Sequence, residues 1–198
     1  MARSSVDLRT TDGTMNCQTF APDGEGSWPG VIFFMDGLGI RSALEQMAER
    51  LASKGYYVLL PNLFYRSGPF APFDAAEVFK GGPELDRLMA LIHTATSDRM
   101  MRDTAVCLEY LDRQPAVRGK DIGVTGYCMG GRAAMLAAGT FRDRIAAAGI
   151  FHAWGPRNRS TGKPASSGEE DPREAVHCRR RNRSLVFGSG ARTAAYSA

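Results

Sequence analysis

A chain of 198 residues, 43% hydrophobic and 23% charged, has the length and composition of one soluble domain that buries a real core. Its opening, MARSSVDLRTTDGTMN, holds no apolar run, and its longest apolar stretches, such as VIFFM, fall far short of the about 20 residues that cross a bilayer, so neither a signal peptide nor a membrane partner is expected. The net charge of +4 invites a nucleic-acid partner, but nine basic and four acidic residues lie from Arg157 onward, leaving sixteen basic and seventeen acidic before it, which excludes a basic binding face on the globular part.

Residues 31–35, VIFFM, read as a short buried strand after Pro29-Gly30. A helix follows with Ala43, Met47 and Leu51 at helical spacing, and Gly55 ends it. YYVLLP is a second buried strand, and residues 66–83, with their Gly, Pro and aromatics, read as a long irregular loop. Apolar Met101, Ala105, Leu108 and Leu111 mark a helix from Ser97 to Leu111. DIGVT at 121–125 is a third strand, GGRAAMLAAGT a small-residue helix, and Ala146–Phe151 a fourth strand. Strands alternating with helices imply parallel pairing through right-handed crossovers, hence an α/β fold of three layers around a mostly parallel sheet. Chemistry in such sheets sits at the carboxyl ends of the strands, here after Met35, Leu60 and Thr125.

The sharpest motif is Gly126-Tyr127-Cys128-Met129-Gly130-Gly131, set between a strand and a helix. It has the G-x-S-x-G form of a nucleophile elbow with cysteine for serine. Such a turn is tight and strained, and side chains at Gly126 or Gly130 would strike neighbouring backbone. The helix beginning beyond Cys128 directs free N–H groups and a positive dipole end at the sulfur, favouring thiolate and offering the Met129 N–H to an oxyanion. The other three cysteines, Cys17, Cys107 and Cys178, show no C-x-x-C spacing, which argues against a zinc site or a disulfide framework and for a reducing cytoplasm. Cys107 belongs on the apolar face of its helix, and Cys17 in an N-terminal strand.

With GYCMGG preceded by PAVRGKDIGVT, and with GVIFFMDGLGIR, LASKGYYVLLPNLFYR and AAAGIFH, residues 28–152 resemble the dienelactone hydrolase family of α/β-hydrolases. The resemblance implies a cysteine–aspartate–histidine triad, lactone or small-ester substrates and no metal or organic cofactor. It also implies an acidic residue at an early strand end touching the resting cysteine. Asp36 holds that place, where the family's type enzymes have a glutamate, and it can equally begin a turn before the helix. The Gly37 N–H is then the second oxyanion donor. Arg66, past the second strand, suits a substrate carboxylate or a solvated loop, and Tyr65 beside it is a weaker substrate contact.

The remaining triad members are not visible. His93 precedes the elbow, on the wrong side for the nucleophile–acid–histidine order; His152 closes the fourth strand; and His177 sits in HCRRRNR with no strand before it. From Gly155 the chain turns rich in Arg, Ser, Gly, Ala and Pro, which reads as a basic disordered tail (155–198) behind a core of 1–154. A sharper reading is a frameshift near residues 153–156. Back-translated with permitted codons, Trp154–Phe187 reads one nucleotide on as a linker, an apolar strand and Asp-Pro-Trp. The expected fold is then incomplete at its C-terminus. Three functions follow: a lactone or small-ester hydrolase, a catalytically impaired fragment without triad Asp and His, or a basic-tailed binding module.

Overall fold

The computed structural model describes residues 1–153. Two antiparallel strands open the chain, β1 (Ala2–Thr10) and β2 (Gly13–Ala21), followed by β3 (Gly30–Phe34), α1 (Ser42–Ala52) and β4 (Tyr57–Pro61). A 3-10 turn (Tyr65–Ser67) leads to α2 (Ala75–Lys80), α3 (Pro83–Thr94) and α4 (Ser97–Asp112); β5 (Ile122–Tyr127), α5 (Met129–Thr140) and β6 (Ile145–Phe151) complete the order. The sheet runs β1-β2-β4-β3-β5-β6. Pairs β3–β4, β3–β5 and β5–β6 are parallel, while β1–β2 and β2–β4 are antiparallel. The expected three-layer α/β-hydrolase-like sheet, mostly parallel, is present: α1 packs over β2 and β4, and α4 and α5 pack on each other, with α5 against β3, β5 and β6.

Central strands β3 and β4 are buried at every residue, as VIFF and YVLL require once both faces are covered. Phe33, Phe34, Ile32 and Leu59 are 0–1% exposed, and each such side chain contributes roughly 1.5–3 kcal/mol of burial. The chain leaves β3 toward β4 on one side, then returns across to β5 on the other. That reversal opens a crevice between the carboxyl ends of β3 and β5, the place where open α/β sheets bind ligands.

The helices differ in detail from the sequence expectation. The buried stripe of α1 is Leu44, Ala48 and Ala52, one residue on from Ala43, Met47 and Leu51, and Met47 is 43% exposed. The two alanines let the helix backbone approach the sheet, which a Met stripe would hold away. In α4 the buried set is Met100, Asp103, Thr104, Cys107, Leu108 and Leu111 in place of Met101 and Ala105. Cys107 and Cys17 are buried, as expected. The loop expected over 66–83 contains α2, capped by the Asp74 side chain on the Ala76 amide at 2.8 Å. A β1–β2 hairpin turning at Thr11-Asp12, with Gly13 just past it at φ 130°, extends the sheet in a region where only Cys17 was placed in a strand.

Among the described residues no helix is long and apolar enough to cross a membrane. The composition change at Gly155, the out-of-frame reading, the tail of 155–198, His177 and Cys178 lie outside the described residues.

Candidate active site at the β3 and β5 strand ends

Cys128 stands between β5 and α5 at φ 53° and ψ −115°, a left-handed backbone conformation that is a genuine outlier for a side-chain-bearing residue. The glycines around it are required by close approach. A Cβ on Gly126 would land on the carbonyl group of Gly130. One on Gly130 would strike the carbonyl oxygens of Phe34 and Met35, the latter at 2.6 Å. One on Gly131 would lie 2.8 Å from the Phe151 oxygen. Each obstacle is backbone, which cannot rotate aside. The elbow is further tied down by the Cys128 amide donating to Phe151 O at 3.0 Å and by the Arg132 amide donating to Cys128 O at 3.0 Å.

Two backbone amides, of Met129 from the start of α5 and of Gly37 from just past β3, lie close enough to the Cys128 sulfur to favour its thiolate. They belong to the two residues singled out in the sequence, one on each wall of the crevice. Gly37 is pressed against α3, where a Cβ would come within 2.9 Å of Ile92 Cδ1. Burial raises the Cys128 thiol above its ordinary 9.0; the Met129 amide pulls it down, the Asp36 charge pushes it up, and the Gly37 amide pulls it down, with a net rise. The pull of the helix start toward thiolate, expected from the sequence, is opposed here by burial. Half-burial outweighs two amides.

Asp36 is placed beside the cysteine but does not touch it by a hydrogen bond. Its Oδ1 accepts from the Leu38 amide at 3.0 Å and from Arg41 Nη1 at 2.7 Å, and its Oδ2 from Arg41 Nη2 at 2.8 Å. Asp36 thus opens a turn, and it lies near enough to the sulfur for its charge to oppose a thiolate. The short side chain is held by its own loop.

Arg66 and Tyr65 are not brought to Cys128 by any hydrogen bond. Arg66 Nη1 and Nη2 donate to the two oxygens of Asp103 at 2.8 Å each, and Nε donates to Asp12 at 2.7 Å. The guanidinium lies 4.4 Å from the Tyr65 ring centroid, and the Tyr65 hydroxyl donates to Asp103 at 3.0 Å and meets Thr10 Oγ1 at 2.7 Å. Burial pulls the Arg66 pKa down, but the hydrogen bonds to Asp103 and Asp12 and the Asp103 charge outweigh it and keep the group protonated. Arg66, expected at the mouth for a substrate carboxylate, has all three nitrogens occupied. It joins the hairpin turn, the β4 exit and α4. Asp103 was missed in the sequence, although an acid among apolar helix positions was the available signal.

His93 is exposed on α3. His152 is exposed beyond β6 at φ 34°, its ring 6.2 Å from that of Tyr127. Among the described residues no imidazole hydrogen-bonds to Cys128, and no group of three or more His, Cys, Asp or Glu is placed to hold a metal ion. A hollow of about 800 Å³ opens between Phe70–Pro72 and the Glu84, Arg87 and Leu91 face of α3, and neither Cys128 nor Gly37 lines it.

A family model described as "Dienelactone hydrolase family" matches residues 15–173. A protein of Synechocystis sp. named "Putative carboxymethylenebutenolidase" is 27% identical over 164 residues, 77% of this chain and 64% of that protein. The carboxymethylenebutenolidase of Pseudomonas putida is 21% identical over 138 residues, 70% of this chain and 56% of that protein. A crystal structure from Klebsiella pneumoniae described as "Putative Dienelactone Hydrolase" shares the fold with a TM-score of 0.64 at 20% identity, over 83% of this chain and 65% of that one. The chain spans less than two thirds of the length of these relatives.

Proposed function

The chain belongs to the dienelactone hydrolase family, and from that premise we propose that it hydrolyses a lactone or small carboxylic ester with Cys128 as nucleophile. The observation that carries this reading is the strained elbow that seats Cys128 against the end of β3, with the Met129 and Gly37 amides near its sulfur. The Cys128 thiol gives its proton to water, the thiolate attacks the carbonyl carbon, and the carbonyl electron pair moves to oxygen, held by the two amides. Collapse breaks the bond to the alcohol oxygen, which takes up a proton, and leaves a thioester. Water then adds and releases the acid, returning the proton to sulfur. Removing a single donor from such a hole typically costs about 10²–10³ in rate. The partner is the small-molecule substrate, and the near-even charge before Arg157 supports no nucleic-acid role.

The test is hydrolysis of 4-nitrophenyl acetate by the purified full chain, with Cys128→Ala alongside. Turnover that the variant abolishes supports the reading; equal turnover in both overturns it. A second reading, a catalytically impaired chain, is favoured by one observation: among the described residues no imidazole reaches Cys128. Under that reading Cys128 is alkylated but does not turn over, and any ester is hydrolysed several orders of magnitude more slowly than a complete triad allows. The frameshift near residues 153–156 is its proposed origin. Sequencing the gene and finding one uninterrupted frame shared with close relatives overturns that origin.

A further inference from the structure

Residue 41 is where α1 begins, and it holds a side chain unsuited to the place. The residue before a helix usually carries Ser, Thr, Asp or Asn, whose oxygen caps a free amide. Arg41 has only donors, makes no capping bond, and has extended backbone at φ −154° and ψ 170°. A local rule broken at a helix start asks for a gain elsewhere. The Arg41 side chain turns back across its own loop, its two terminal nitrogens on the two oxygens of Asp36 and Nη1 also on Gly39 O at 3.2 Å. The Gly39 amide donates to Asp36 O at 3.2 Å, and the Leu38 amide to Asp36 Oδ1. Residues 36–41 are thereby closed into a stapled ring, and Gly37 sits inside it.

We propose that Arg41 is a positioning residue that acts on Cys128 through Asp36, fixing the loop that presents the Gly37 amide and offsetting part of the carboxylate charge that opposes a thiolate or an oxyanion. This rests on the reading of Cys128 as the reactive thiol. A planar fork matched to a carboxylate suits the task, since it supplies charge and orientation together. The Asp36 carboxylate is the charge that bears on the sulfur among the described groups, and it faces the crevice from the end of β3. From α5 and the β3 exit the sulfur meets amides; from β6 the flanking groups are Phe151 O and, beyond it, exposed His152. Arg41 stands behind Asp36, 36% exposed at its side chain against 16% for its partner. Left without its arginine, Asp36 would confront the elbow with an unbalanced negative charge.

The experiment is the pH dependence of iodoacetamide alkylation at Cys128, followed in the Cys128 peptide by mass spectrometry on the full chain. Arg41→Met keeps length and loses charge; its alkylation midpoint moves upward, with about a tenfold slower reaction at pH 7 for each unit of rise. Arg41→Lys restores part of the shift. Asp36→Asn moves the midpoint below that of the unsubstituted protein, and the double variant Asp36→Asn/Arg41→Met returns it close to the starting value. A purely structural staple would lower the melting temperature without moving the midpoint. An unmoved midpoint in Arg41→Met, or a double variant no better than the single, overturns the proposal. Should Arg41→Met fail to fold, Asp36→Asn decides alone: an unchanged or raised midpoint refutes the charge argument. Since alkylation needs no turnover, failure of the hydrolase reading is told apart by the ester assay.

Discussion

Asp103→Ala cuts three hydrogen bonds at once, two from Arg66 and one from Tyr65. The Asp103 side chain is 2% exposed and that of Arg66 9%, so the variant leaves a guanidinium charged and almost dry, with Asp12 at the rim as its remaining carboxylate. Breaking a buried pair from one side costs about 3–5 kcal/mol, and the surviving Asp12 contact argues for the lower end, about 3 kcal/mol. At about 2–4 °C per kcal/mol for a chain of this size, the melting temperature falls by roughly 6–12 °C. Removing both partners tells a different story. Arg66→Met/Asp103→Leu exchanges the pair for apolar volume and leaves no orphaned charge, so it should lie within about 1 kcal/mol of the starting protein. Urea unfolding followed by circular dichroism measures both. A loss below 1 kcal/mol in Asp103→Ala, or a double variant as unstable as the single one, would refute the account of Arg66 as a buried structural cation. The same double variant reports on substrate binding, because an Arg66 that binds a substrate carboxylate would raise KM when replaced even where stability is kept.

Gly130→Ala should cost about 1–3 kcal/mol or more and abolish ester hydrolysis, because the added carbon meets the fixed carbonyls of Phe34 and Met35; a variant of normal stability and activity would contradict the elbow geometry. Alkylation of Cys128 in the unsubstituted protein should have a midpoint above 9.0, rising with pH throughout the neutral range, since burial and the Asp36 charge favour the thiol; a plateau reached by pH 7 would count against it. Native labelling with a thiol reagent should modify Cys128 while sparing Cys17 and Cys107, which are 2% and 0% exposed; rapid labelling of either would mean that β2 or α4 opens readily.

The turn at Cys128 was legible in the sequence because its constraint is local: Gly126, Gly130 and Gly131 sit where a Cβ would meet backbone a few residues away or on the adjoining strands, and the strand–turn–helix order is written in consecutive residues. The same holds for β3 and β4, whose unbroken apolar runs have no other stable use than a sheet covered on both faces. Helix phase was less legible. In α1 the hydrophobic residues Ala43, Met47 and Leu51 and their neighbours Leu44, Ala48 and Ala52 satisfy the same spacing, and only the distance to the sheet chooses the smaller set. α2 was hidden among Gly, Pro and aromatics because six residues carry too little periodicity to stand out from a loop.

The site divides in the same way. Sequence alone determined that a cysteine stands on an elbow with Met129 behind it, since those atoms are neighbours along the chain. Tertiary structure decided that Asp36 turns to Arg41 and away from the sulfur, and that Arg66 is taken up by Asp103. Each of these depends on which of several charged side chains within reach lies closest. That competition is settled by the sheet order, which brings the β3 and β5 ends together, and at Arg66 and Asp103 by burial, which leaves the pair little solvent to choose instead.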